Sequence, residues 1–274
     1  MIRILSILVG LFFTVAVAWS LLLGAINFEI PHTVEHEFHK PPKELRLASD
    51  GAFGKFDRQQ VQRGFQVYKE VCAACHSLRL VAFRDLAALG YNEAEVKAIA
   101  AGFQVPGLDP NTGEANTRPG TPTDYFPKPF ANDIAARAAN NNAIPPDLSL
   151  MAKARHDGAA YVYSLLTGYQ DAPANLPEAN RPGEGLHYNP YFANLNLAMA
   201  PPLNEGQITY SDGTKSSVDQ MSKDVAAFLV WTAEPKLEKR HQTGWPVLLF
   251  LLFATVLGFL ATQQIWADKK KKKK

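Results

Sequence analysis

The C-terminal end of the chain is uniformly apolar, unlike the mixed pattern that precedes it. No charged side chain occurs from Trp245 to Trp266, and as a helix this stretch would be about 33 Å long, enough to cross a bilayer. Tryptophans at both edges, followed by the six lysines Lys269–Lys274, are typical of a span that ends in the cytoplasm. We therefore predict a transmembrane helix over 245–266, a cytoplasmic lysine tail over 267–274 and an exported domain before them.

The N-terminal end, residues 1–28, is also apolar after a single early cation, Arg3. This pattern predicts either a secretory signal peptide or an uncleaved signal-anchor helix, and either one exports the domain on its C-terminal side. The apolar run is long for a signal peptide, although Ala16-Val17-Ala18 offers a small-residue cleavage site. Both interpretations stay open, and we favour a retained second anchor.

The region between the two ends starts and finishes with amphipathic helical patterns. Asp57 and Gln60 form a capping-box pattern before apolar residues at helical spacing. Ser217 and Gln220 repeat that pattern before a second amphipathic stretch, which Pro235 stops. Two helices should therefore enclose the domain.

Between these helices the composition favours long irregular segments. Residues 102–146 and 171–202 are rich in Pro, Gly and Asn, which predicts loops, with a short helical piece at 132–139. A further helix is expected over 155–169. Residues 29–50 contain three histidines and a Pro-Pro pair without periodicity, and we interpret them as a linker rather than a metal site.

Charge is distributed unevenly over the 274 residues. The whole chain has a formal charge of +2, but residues 27–245 hold 25 acidic and 21 basic side chains. A mildly acidic domain argues against nucleic acid as a partner and favours a basic one.

The clearest chemical signal is Cys72-Ala73-Ala74-Cys75-His76, the C-x-x-C-H arrangement of c-type haem attachment. Two thiols three residues apart at the end of a helix can each bond a haem vinyl group, and His76 then faces the iron. A thiol-redox pair would not need the histidine, and no βαβ pattern accompanies the motif. Zinc would want four ligands, and the chain has only these two cysteines. We therefore predict one covalently bound haem c per chain.

A second axial ligand is expected to be a thioether or an imidazole. Met1 initiates the chain, Met221 lies on the apolar face of the last amphipathic stretch, and Met151 falls in LSLMAKA. Met199 stands apart, in a loop that two following prolines would stiffen. The competing donors are His156, His187 and His241.

Four separated segments resemble the cytochrome c1 family, the haem c subunits of the ubiquinol:cytochrome c oxidoreductase. They are GFQVYKEVCAACHSLR, IPPDLSLMAKARHDGAAYVYSLLTGY, NPYFANLNLAMAPPL and MSKDVAAFLVWTAEP, in that order. The resemblance extends over residues 50–266. It implies an all-α fold, the class I cytochrome c fold with long loop insertions, over residues 51–240, with its terminal helices crossing behind the haem.

By this resemblance, His76 and Met199 are the axial ligands of the iron. Arg155 and Tyr161 are placed to bond a haem propionate, and the Pro145-Pro146 turn lies against the His76 side of the haem. Without the resemblance these three features would be a solvated arginine, a core tyrosine and an ordinary turn. A backbone carbonyl that accepts from the imidazole would fix its tautomer. Some bacterial relatives have an additional disulfide that this chain lacks, so packing must hold the loop near Met199.

The resemblance also implies a function and a location. The haem would take an electron from a Rieske iron–sulfur protein and pass it to a soluble or membrane-tethered cytochrome c, in a dimeric complex with cytochrome b. The subunit would not oxidise quinol itself. It would lie among the lipids of a bacterial inner membrane, with the haem domain on the periplasmic side. The alternatives are a haem c subunit of an oxidase or dehydrogenase, and a peroxidase-like enzyme, which would need an open sixth position.

Overall fold

The computed structural model describes the backbone of residues 2–28 and 33–271. The last three lysines of the predicted tail and residues 29–32 of the predicted linker lie outside this range. The chain divides into two compact units, Met1–Phe38 and His39–Lys274.

The described residues of the first unit form two helices, α1 (Ile2–Ile26) and α2 (Val34–Phe38). No residue of α1 is buried, and its 25 residues are long and apolar enough to cross a membrane. A signal sequence would have the same length and composition. Retention of this segment therefore stays a prediction.

The second unit is organised around the crossing of α3 (Arg58–Glu70) and α8 (Val218–Ala233). Both helices begin as the sequence predicts, because the Asp57 carboxylate accepts from the first free backbone N–H groups of α3 and the Ser217 hydroxyl does so for α8. A Cβ atom on Gly64 would lie 2.0 Å from the Asp224 carbonyl oxygen, so the two backbones are in direct contact. The all-α prediction is confirmed.

Apart from the C-terminal helix, the other helices that the structure describes in this unit are short. They are α4 (Glu93–Ala101), α5 (Asp133–Ala139), α6 (Met151–Ala154) and α7 (Gly158–Leu166), with 3₁₀ turns at Cys72–Ala74, Phe83–Leu89 and Glu178–Asn180. The helix predicted over 155–169 is shorter than expected. Asp157 has a φ of 58°, which interrupts the helical path before Gly158.

Two small antiparallel hairpins occur in the segments predicted as irregular. β1 (Gln104–Leu108) pairs with β2 (Ala115–Pro119), and β3 (His187–Tyr188) pairs with β4 (Asn196–Leu197). The first hairpin surrounds an Asx turn in which Asp109 accepts from the N–H groups of Asn111 and Thr112.

Part of the segment predicted as a linker packs on the domain. The Lys40 N–H donates to the Pro190 carbonyl at 2.8 Å, and the Lys43 N–H donates to Ser164 Oγ at 2.7 Å. Leu47 is buried in the core. Residues 39–50 therefore form an irregular but attached strap, because their backbone groups find partners on the folded unit.

The long C-terminal helix, α9 (Leu237–Lys271), contains the predicted span. The apolar side chains of residues 245–266 are exposed, and length and composition again suit a membrane helix. Pro246 lies within it, close to the N-terminal end of the apolar stretch.

Candidate haem-binding site

The C-x-x-C-H motif forms one tight turn directly after α3. The N–H groups of Cys75 and His76 both donate to the Cys72 carbonyl, at 3.1 and 2.8 Å. Both cysteines are free and partly buried. One turn thus presents two thiols and an imidazole together.

The thiol chemistry of this turn does not suit a redox pair. Burial raises the pKa of the Cys72 thiol to about 12, and the neighbouring Cys75 adds to this shift. Thiol–disulfide exchange requires a thiolate, and redox C-x-x-C motifs lower the thiol pKa instead. The raised pKa of Cys72 therefore argues against a thiol-redox pair.

The His76 ring is fixed by a backbone carbonyl, as the tautomer argument requires. Its Nδ1 lies 2.8 Å from the Pro146 oxygen, and because a carbonyl only accepts, Nδ1 carries the proton. Nε2 then keeps the lone pair that a metal needs. Burial lowers the pKa of His76, against the opposing effect of the Pro146 bond, so the ring is neutral at neutral pH. Tyr68 Oη fixes the backbone of the same residue by donating to its carbonyl at 3.0 Å.

Asp147 holds the Pro146 carbonyl in place. Its carboxylate accepts from Ser77 Oγ at 2.7 Å, from the Arg79 N–H at 2.9 Å and from the Ser149 N–H at 3.0 Å. Burial alone would raise the pKa of this carboxyl, but these hydrogen bonds outweigh it and lower the pKa. The residue was not predicted, although aspartate side chains commonly accept from the backbone N–H two residues further on, as Asp147 does from Ser149.

Met199 lies just after β4 in a loop held by hydrogen bonds and packing. Tyr169 Oη donates to the Met199 carbonyl at 2.9 Å. Asn189 closes the hairpin that leads into this loop, because its N–H donates to the Leu195 carbonyl at 2.8 Å. Its side chain ties the hairpin to α7 by donating to the Leu165 carbonyl at 2.8 Å. Leu195 itself is fully buried despite a φ of 67°. These hydrogen bonds and the buried Leu195 hold the loop around Met199.

The histidines that competed for the sixth position differ in their surroundings. The His156 side chain is 96% exposed and pairs with Asp157. His241 contacts the Gly54 carbonyl at the start of α9. His187 lies on β3 directly opposite Leu197, two residues from Met199. Of these three histidines, His187 remains the alternative sixth ligand, because its hairpin leads into the Met199 loop.

The two residues expected at the propionates are not equally placed. Tyr161 lies on α7. Burial raises the pKa of the Tyr169 phenol, and the charge of Tyr161 adds to this effect. Arg155 is exposed between α6 and α7, and its guanidinium donates to the Ala154 carbonyl at 3.2 Å.

The donor set fits a c-type haem. Two unpaired thiols, a neutral imidazole of fixed tautomer and a thioether in an ordered loop are the groups that such a haem uses. Among residues 2–28 and 33–271, His, Cys, Asp and Glu side chains form no cluster of three or more suited to a metal ion.

Comparison with known proteins decides the family. The model of the Cytochrome C1 family matches residues 47–269. The chain belongs to the cytochrome c1 family. Membership confirms the predicted family and makes the chain a haem-carrying electron-transfer subunit of the cytochrome bc complex.

Relatives from bacteria and plants share most of this length. "Cytochrome c1" of Rhodospirillum rubrum is 47% identical over 232 residues, which is 80% of this chain and 85% of the relative. "Cytochrome c1-2, heme protein, mitochondrial" of Solanum tuberosum is 45% identical over 252 residues, 92% of this chain and 95% of the relative. "Cytochrome b/c1" of Bradyrhizobium diazoefficiens is 43% identical over 247 residues, 84% of this chain and 36% of that longer protein.

Proposed function

We propose that this chain binds one haem c through thioether bonds to Cys72 and Cys75, with His76 and Met199 as axial ligands. The observation that carries the proposal is the C-x-x-C-H turn whose imidazole bonds a backbone carbonyl at 2.8 Å, in a member of the cytochrome c1 family. When bound, such a haem takes up and releases one electron, and methionine–histidine ligation raises its potential.

The protein's own contribution is to hold the ligands still. The Pro146 carbonyl keeps the imidazole neutral and oriented, and Asp147 keeps that carbonyl in position. The Tyr169 hydroxyl does the same for the backbone of Met199. Tyr161 on α7 and Arg155 are the side chains that we assign to the propionates, and Pro145 belongs to the turn on the His76 side.

We propose a Rieske iron–sulfur protein as the electron donor and a soluble or membrane-tethered cytochrome c as the acceptor. Cytochrome b is the proposed membrane partner, a proposal supported by the relative named "Cytochrome b/c1", and the assembled complex is proposed to be dimeric. Quinol is oxidised elsewhere in that complex and not by this chain.

The proposed location is a bacterial inner membrane with the haem domain on the periplasmic side. The apolar stretch of α9 and the lysines that follow it support this orientation.

The donor can be tested by purifying the complex with and without its Rieske subunit and mixing each preparation with quinol. Rapid reduction of the haem c should require the Rieske subunit. Equally fast reduction without that subunit would contradict the proposed electron path. Purification with an oxidase or dehydrogenase, and without cytochrome b, would support the alternative assembly.

A further inference from the structure

A tightly closed loop, residues 47–56, lies at the start of α9. The Leu47 N–H donates to the Asp50 carboxylate at 2.8 Å, and the Lys55 N–H returns to the Ala48 carbonyl at 2.9 Å. A Cβ atom on Gly54 would lie 2.1 Å from the Ser49 carbonyl oxygen, so only glycine lets the loop close. The 47–56 loop is therefore a rigid feature whose tip has a fixed direction.

The 47–56 loop runs along one face of α9. The Phe56 N–H donates to Glu238 Oε1 at 2.9 Å, and His241 Nδ1 contacts the Gly54 carbonyl at 3.2 Å. About one helical turn further along α9, the Phe53 ring stacks on Trp245. Their ring centroids are 5.1 Å apart and their planes differ by 10°. Residues 238, 241 and 245 are three and four positions apart, which places them on the same helical face. The loop is thus fastened to α9 from its first turn to the edge of the apolar stretch.

The ring at the tip of the 47–56 loop faces outward. Phe53 is 76% exposed, although its neighbours in the loop, Ser49 and Gly54, are buried. An aromatic ring held this far out by a rigid loop is unfavourable in water. Its stacking partner Trp245 is also exposed, so the two rings form one apolar surface.

The depth of this surface depends on the length of the apolar stretch. Residues 245–266 as a helix are about 33 Å long, close to the roughly 30 Å of a hydrocarbon core. Trp245 and Trp266 must then lie near opposite membrane interfaces, where aromatic side chains concentrate. Because the Phe53 ring stacks directly on Trp245, it lies at the same depth.

We propose that the 47–56 loop is a further membrane contact of the haem domain, besides its transmembrane anchoring, with Phe53 inserted at the boundary of headgroups and acyl chains beside Trp245. Lipid, and not another protein, covers the ring. The contact joins the domain to the bilayer at a point separate in sequence from α9, and so fixes the tilt of the domain relative to the membrane. This inference depends on α9 as an anchor and not on how the haem is ligated.

The test uses the full chain with its haem reduced, reconstituted in phosphatidylcholine nanodiscs. A nitroxide spin label is attached at Phe53→Cys, and collision with oxygen, which concentrates in lipid, is compared with collision with a water-soluble nickel chelate. The matched control is Leu108→Cys on β1, since Leu108 is 72% exposed and Phe53 is 76% exposed. Both positions tolerate a label because neither side chain is buried.

The oxygen-to-nickel collision ratio should be several-fold higher at position 53 than at position 108. Equal ratios at the two positions would overturn the proposal, because they would place the ring in water. Low collision with both agents at position 53 would also overturn it, since packing against protein would then cover the ring.

Discussion

His76 is held at its backbone and at its ring, and both hydrogen bonds involve a carbonyl. Tyr68 donates to the carbonyl of His76, and the ring donates to the carbonyl of Pro146. The His76 ring therefore cannot rotate, and its backbone cannot move, without breaking a hydrogen bond. A ligand with this little freedom loses little entropy when it binds a metal.

The variant Met199→Leu tests whether Met199 is the sixth ligand, which would close the iron to added ligands. Leucine keeps an apolar side chain of similar volume, so packing should change little, but the sulfur that favours reduced iron is lost. The potential should fall by on the order of 0.1 V, within the roughly 0.8 V range that axial ligands span. The reduced haem should also begin to bind carbon monoxide. Redox titration and the carbon monoxide difference spectrum measure both effects.

The matched control for Met199 is Met151→Leu, in which a thioether is removed from the core. Met151 is 8% exposed at the start of α6, and its replacement should leave the potential and the carbon monoxide spectrum unchanged. A native potential in Met199→Leu would direct the search for the sixth ligand to His187.

The spacing of residues along the sequence predicts the haem-attachment motif but not the residues whose hydrogen bonds hold the ligands in place. Cys72, Cys75 and His76 fall within five consecutive positions, so the motif is visible in the sequence. Asp147 reaches groups near position 77, and Tyr169 reaches Met199, so these bonds span 70 and 30 positions. Contacts of that range depend on how helices pack, which periodicity does not specify.

At the scale of elements, the crossing of α3 and α8 depends on one missing side chain. A Cβ atom on Gly64 would lie 2.0 Å from the Asp224 carbonyl oxygen and 2.7 Å from Phe228 Cβ. Gly64→Ala should force the helices apart and lower the free energy of unfolding by about 1–3 kcal/mol, although alanine favours a helix. Denaturant unfolding of the full chain in detergent measures this loss.

Gly102→Ala is the control for the helix crossing. Gly102 ends α4 with a φ of −74°, and its nearest new contact would be 3.3 Å away. Stability should change by no more than about 0.5 kcal/mol. Similar losses in both variants would contradict a specific role for the crossing.

A charged hydrogen bond links α7 to α8. Tyr163 Oη donates to Asp219 at 2.6 Å, and Lys223 donates to the same carboxylate at 2.7 Å. The Lys223 and Tyr163 bonds hold the pKa of Asp219 below its ordinary value of 3.8. A depressed pKa in the folded state gives stability that is present above pH 3.8 and is lost as the pH falls below it.

Asp219→Asn should therefore destabilise the protein by about 1 kcal/mol at pH 7, a value discounted for the partial exposure of the carboxylate. The difference from the unaltered protein should shrink as the pH falls below 3.8, the ordinary value for this carboxyl. Unfolding curves at pH 7 and at pH 3 measure this, with Asp171→Asn on the surface as the control. A difference that does not depend on pH would contradict the electrostatic explanation.

Element boundaries were predictable where a side chain caps a helix. Asp57 and Ser217 cap α3 and α8 as their spacing indicates. The predicted start of α7, at residue 155, was wrong because Asp157 adopts a positive φ. The side-chain pattern does not reveal this conformation. The hairpin of β1 and β2 was also not predicted, since its strands contain proline and glycine.

At the scale of the whole molecule, the apolar character of both ends was visible from composition alone, and the uncharged stretch over residues 245–266 has the length of a bilayer span. The attachment of residues 39–50 to the folded unit was not visible, because it rests on backbone hydrogen bonds such as that from Lys40 to Pro190. The irregular sequence therefore predicted that residues 39–50 form no helix, but it did not predict that they are attached to the folded unit.

The central claim is that this chain carries one haem through two thioether bonds, and the intact mass of the denatured chain tests it directly. The mass should exceed that of the polypeptide by one haem, because thioether bonds survive unfolding. The increment should disappear when Cys72→Ala and Cys75→Ala are combined. A chain at its polypeptide mass, with haem released into acid acetone, would contradict the account.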